Sequence, residues 1–120
     1  MTQTPNTKDT LFILPPGFFD NERREYCPES AEAWGLLAYY PHIKDGLDIH
    51  YVKIGKPRAP MTTLLGDKNQ NAPTLVLHAD SPSFEDVGVM QKNGHRFINN
   101  ARDMGAYWSK HYGTAWPRGH

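Results

Sequence analysis

The chain has one cysteine, Cys27, so it cannot close a disulfide on itself, and any redox chemistry must take its second sulfur from outside. That usage suits a reducing compartment. An excess of charge of either sign is lacking too. Thirteen lysines and arginines balance thirteen aspartates and glutamates, which leaves no overall field to draw the protein to nucleic acid or to an anionic membrane. No apolar run approaches the roughly 20 residues needed to cross a bilayer. The opening MTQTPNTKDT lacks the apolar centre of a signal peptide. The expectation is a cytoplasmic protein without nucleic-acid or membrane partners. The six histidines form no H-x-x-x-H pattern and the lone cysteine no C-x-x-C, so no metal site is expected. Gly-rich phosphate loops, a Ser-His-Asp order and paired-carboxylate motifs are also missing, which leaves nucleotide binding and hydrolysis without residues to perform them.

Ten prolines and ten glycines punctuate the rest, and the elements are read between them. After a polar tail over residues 1–9, TLFILP supplies a buried strand at Leu11 to Leu14, stopped by Pro15 and Pro16. PPGFFDNERREY reads as a solvated loop with Phe18 and Phe19 folded back on the domain. PESAEAWGLLAYYP predicts a helix from Pro28 to the stop at Pro41, with Ala31, Trp34, Leu37 and Ala38 as its inner stripe. GLDIHYVKIG alternates as a second strand, parallel to the first across the helical crossover. MTTLLG makes a short helix ending at Gly66. The strongest strand signal is Thr74 to Leu77, entered from Pro73. A strand around Val87 to Gln91 turns at Asn93-Gly94 and returns over His95 to Ile98. A last helix starts at Asn99 or Asn100 and ends at Gly113, with Met104, Tyr107, Trp108 and Tyr112 on one side. The tail at 114–120 is expected to fray, with Trp116 able to dock. One domain over 10–113 results, in the order β-α-β-α-β-β-α, with helices on both faces of a mixed sheet.

Cys27 falls at the start of the first helix, where unpaired N–H groups and the positive dipole end favour a thiolate over the thiol, whose ordinary pKa is about 8.5. Ser30 is placed to add a hydroxyl hydrogen bond. Glu29 and Glu32 would oppose the anion and Arg23 and Arg24 favour it, so neighbouring charges leave the sign of the net effect open.

YCPES between the first strand and first helix, with NAPTLVL entering the third strand, resembles the thioredoxin-like superfamily, especially glutaredoxins and the N-terminal domain of glutathione transferases. The chain is also similar to an uncharacterised bacterial family of small thioredoxin-like proteins with the patterns YCP, GLLAYYP and APTLVL. The superfamily resemblance implies a cis bond before Pro73. It also implies a monothiol thiol-disulfide oxidoreductase in which Cys27 and Ser30 are catalytic and Tyr26, Pro28, Ala72, Pro73 and Asn100 bind substrate. No bound cofactor is implied; glutathione, as co-substrate, or a protein thiol would be the partner. Two departures stand against glutathione. The loop from Pro15 to Tyr26 is long for a glutaredoxin, and Asn100 and Ala101 stand where transferases present an acidic residue and a serine to the γ-glutamyl group. The rival readings are a non-enzymatic binding module on the same fold and a transferase-like conjugating enzyme.

Overall fold

The computed structural model describes residues 8–120, so most of the polar tail lies outside the described residues. Strand β1 (Asp9–Ile13) is the hinge of the architecture. Its alternation sends Leu11 and Ile13 into one apolar cluster and Phe12 into another, and Leu14 just beyond joins the second. A single strand therefore serves two cores.

Five strands form a mixed sheet. β4 (Leu47–Tyr51) pairs parallel with β1, Asp9 opposite Leu47 and Ile13 opposite Tyr51, as a crossover connection predicts. β5 (Thr74–Val76) pairs antiparallel with the other side of β1 and is buried at every residue. β7 (His95–Ile98) pairs antiparallel with β5, and β6 (Met90–Lys92) closes the edge, giving the order β4-β1-β5-β7-β6. The β6–β7 turn falls on Asn93 and Gly94, both left-handed at φ 53° and 78°, as a two-residue hairpin requires. The strand expected from Val87 starts later, at Met90. Val87 is instead buried ahead of it, its N–H bonded to Phe84 O.

Helices α1 (Pro28–Tyr39) and α3 (Ala101–Tyr112) cover one face, and α2 (Ala59–Leu65) covers the other. α1 begins at Pro28 and gives way at Pro41 to a 3₁₀ turn, Pro41–Gly46. Its inner stripe differs from the expected one. Ser30, Ala33 and Leu37 are buried with Trp34 and Leu36 partly so, while Ala31 and Ala38 face solvent. An exposed alanine costs little, so alanines do not fix a helix's facing, whereas Leu37 does. α3 is capped by Asn100, whose side chain accepts from Asp103 N–H, and ends at Gly113 in the left-handed conformation. Met104, Tyr107 and Trp108 are buried as expected.

Two segments expected to be irregular are ordered. Within Pro15 to Tyr26, β2 (Phe18–Asp20) and β3 (Arg23–Glu25) form a hairpin turning on Asn21 and Glu22, both at positive φ. Period-2 alternation packs Phe18 on the second core and leaves Phe19 outside, so only one phenylalanine folds back. The C-terminal tail has no helix or strand, but it lies against α3. His120 bonds Asp103, Trp116 Nε1 donates to His120 O at 3.0 Å, and Pro117 sits against Gly105, where an added Cβ would stand 3.1 Å from its ring.

Candidate functional site

The connection leaving β1 and the start of α1 place Cys27. It is the N-cap of α1, in an extended conformation, with Pro28 supplying the first helical φ. The sulfur occupies the position of a capping side chain: Ser30 N–H donates to Sγ at 3.3 Å. On its other side the thiol donates to Ala72 O at 3.8 Å, the carbonyl just before Pro73. The Ala72-Pro73 bond is cis, and Ala72 and Pro73 are buried at the entry to β5. Cys27, Pro28, Ser30, Ala72 and Pro73 thus come together from positions far apart in the chain.

Ser30 does a different job from the expected one. Its hydroxyl accepts from Leu14 N–H at 3.3 Å, satisfying the end of the β1 segment, and the group facing the sulfur is its backbone N–H. Tyr26 stands exposed at the rim. Cys27 is half-buried at a cavity of about 410 Å³ that Tyr26, Trp34, Tyr51 and Pro15 also line. Asn100 is not part of that lining. It caps α3, and next to it Glu29 Oε2 accepts the Ala101 N–H at 3.0 Å. The α3 N-terminus is thereby bonded to the chain's own carboxylate.

Sequence reasoning missed Arg58. Only 8% exposed, it donates Nε to Lys53 O, Nη1 to Gln70 O and Nη2 to Ile54 O. Among the described residues it has no carboxylate partner. Burial lowers its pKa, and the charge that Cys27 would carry when ionised pulls the other way. A guanidinium stays charged in proteins even so. It also ties segment 53–54 to residue 70, two positions before the carbonyl that meets Cys27. Trp34, Tyr51 and Pro15 were likewise unforeseen as lining. Only their apolar character was visible, and it reads equally well as core.

The arrangement offers a partly accessible thiol held between one N–H donor and one carbonyl, with a buried cation nearby and aromatic walls. Among the described residues no cluster of three or more metal-ligating side chains forms, and no helix is long and apolar enough to cross a membrane. A family model described as "Protein of unknown function (DUF3088)" matches residues 8–116. No curated protein and no solved structure matches the chain.

Proposed function

The chain belongs to this DUF3088 family, and we propose that its fold is thioredoxin-like and that Cys27 is the nucleophile of a monothiol thiol-disulfide exchange site. The carrying observation is the placement of Sγ, capped by the Ser30 N–H at the start of α1 and facing the Ala72 carbonyl. With the β2–β3 hairpin set aside as an insertion the order is β-α-β-α-β-β-β-α, and dropping the short edge strand β6 leaves β-α-β-α-β-β-α, which supports the same reading.

The chemistry balances with one resident sulfur. The Cys27 thiolate attacks one sulfur of an external disulfide; a Cys27 mixed disulfide forms, and the partner leaves as a thiolate that takes up a proton. A second external thiol, as thiolate, then attacks the mixed disulfide, forms a new disulfide with the departing group and releases Cys27. The Ser30 N–H is the donor that faces the sulfur at the start and end of the cycle. Protonated, the sulfur returns to the Ala72 carbonyl.

One observation favours the rival, a binding module without chemistry: Cys27 packs partly against the cluster around Phe12 and Met61, as an inert cysteine would. The transferase-like reading needs an anion at the α3 N-terminus, and Glu29 already bonds there. Alkylation by iodoacetamide separates exchange from packing. Under the exchange reading Cys27 reacts at pH 7 about fivefold or more faster than an unstructured cysteine, and oxidised glutathione adds one glutathionyl group by mass. A slower reaction than the unstructured thiol, with no adduct, would leave only the module.

A further inference from the structure

Seven large apolar side chains stand well exposed among the described residues, and four of them, Phe19, Tyr26, Tyr51 and Ile54, line two adjoining depressions. Tyr26 and Tyr51 line the Cys27 cavity. Tyr51 and Pro15 also line the groove beside it, of about 710 Å³, whose walls are Phe18 and Phe19 of the hairpin and the Lys53–Pro57 segment. Cavity and groove are therefore neighbours that meet at Pro15 and Tyr51, the sulfur lying in the cavity. The groove's walls are fixed: Phe18 packs on the second core, and the Lys53 and Ile54 carbonyls are held by Arg58.

The groove's charge has one sign. Lys53 and Lys56 line it and no carboxylate does. Neither ammonium has an ion-pair partner among the described residues. Asp20 and Glu22 lie at the far end of the hairpin, outside the lining.

The groove is open: Phe19 is 71% and Tyr51 55% exposed. Walls this open are covered by a polypeptide, and rigid aromatic side chains beside cations are what anchors one. We propose that the groove docks an extended, acidic, aromatic-rich polypeptide segment and feeds its disulfide to Cys27. The last clause rests on the exchange reading above; the docking itself does not.

The test uses the full chain carrying Cys27→Ser, so binding is read without thiol chemistry. Three fluorescein-labelled peptides serve as probes in anisotropy titrations: one alternating glutamate with phenylalanine or leucine, one with lysine for glutamate, and one with serine for the apolar residues. The acidic-aromatic peptide is expected to bind about tenfold more tightly than either of the others and to weaken as salt is raised. Lys53→Glu with Lys56→Glu, and separately Phe19→Ser, are expected each to weaken it about tenfold. All three side chains are exposed, and unchanged urea midpoints check that folding is intact. Equal binding of the basic peptide, indifference to the variants, or no binding at all would overturn the proposal. So would a concentration-dependent dimer abolished by Phe19→Ser, which would make a second copy the occupant. Peptide binding with an unreactive Cys27 in the native chain would sink the exchange reading alone; a reactive Cys27 without peptide binding would sink the docking alone.

Discussion

Replacing Ser30 by alanine separates two jobs that one residue performs through different atoms. The hydroxyl is buried and accepts the Leu14 N–H at 3.3 Å, while the backbone N–H donates to Cys27 Sγ. Alanine removes the first contact and keeps the second. Leu14, itself 4% exposed, is then left with an N–H that has lost its acceptor. An unsatisfied buried donor costs about 1–3 kcal/mol. At 3.3 Å the lost bond is longer than the usual 2.9–3.0 Å, so the lower half of that range applies, about 1–2 kcal/mol. Alanine's better helix propensity returns only a few tenths. The expected result is a lower urea midpoint at unchanged slope and a melting temperature down by about 4–8 °C. The iodoacetamide rate at Cys27 should stay within about twofold of the native chain, because the donor at the sulfur is still present. An alkylation rate several-fold slower with the urea midpoint unchanged would refute this division, and would return the hydroxyl to the sulfur, where sequence alone put it.

Arg58→Met leaves three backbone carbonyls without their donor and removes the cation near Cys27; a loss of about 2–4 kcal/mol in urea and a several-fold slower alkylation at pH 7 are expected. Destabilisation with alkylation unchanged would show Arg58 to be structural only. Glu29→Ala should cost about 1 kcal/mol, because the Ala101 N–H loses its cross-helix acceptor, whereas Glu32→Ala should cost under about 0.5 kcal/mol, because its pair with Arg102 is exposed. Equal urea midpoints for the two variants would contradict this. Burial, then the Asp9 carboxylate, raises the Tyr107 phenol above its ordinary range, and Tyr112 is raised by the same two causes. A folded value above the unfolded one of about 10 means that the neutral phenols stabilise the fold fully below pH 10 and cease to as pH climbs past it. Urea midpoints should therefore fall above about pH 10, less steeply in Tyr107→Phe, and equally steep curves would refute the assignment.

What the sequence made legible is what local pattern encodes. Leu11 to Leu14, Thr74 to Leu77 and the Asn93-Gly94 turn have alternation, burial and glycine chemistry in one short window; the turn lies where it was expected, and the strands run Asp9–Ile13, taking in a residue assigned to the tail, and Thr74–Val76. The first hairpin was invisible for the same reason. Its strands are three residues long, its turn uses Asn21-Glu22 rather than a glycine pair, and the letters of β3 are charged. Its backbone pairing, Phe18 reaching the second core, and the Arg23–Glu25 and Asn21–Glu25 contacts reveal it. Around the site, Cys27, Pro28 and Pro73 could be read because proline and a lone cysteine are conspicuous. Arg58 could not. Its side-chain partners are backbone oxygens, which every residue possesses, so no pairing pattern in the letters announces a buried arginine.

The electrostatics at the sulfur illustrate why counting neighbouring charges fails. Sequence places Glu29 and Glu32 against a thiolate and Arg23 and Arg24 for it, four charges with no evident winner. Folding commits three of them elsewhere: Glu29 to the Ala101 N–H, Glu32 to Arg102 and Arg23 to Glu25. Arg24 extends its guanidinium to Gly17 at the base of the hairpin. A carboxylate bonded to a helix N-terminus or paired with a guanidinium presents little field beyond its partner, and exposed pairs are screened further by salt. Arg58 differs on both counts. It is buried, so its charge is weakly screened, and its side-chain partners are neutral carbonyls, so nothing cancels it. The sulfur contacts Ala72 O and accepts the Ser30 N–H, and Arg58 is buried among neutral carbonyls. The Ser30 bond is local, three residues along the helix start, whereas Arg58 reaches its place through chain folding. Removing Glu29 should therefore leave alkylation of Cys27 nearly unchanged while removing Arg58 slows it, the reverse of what sequence distance would rank first.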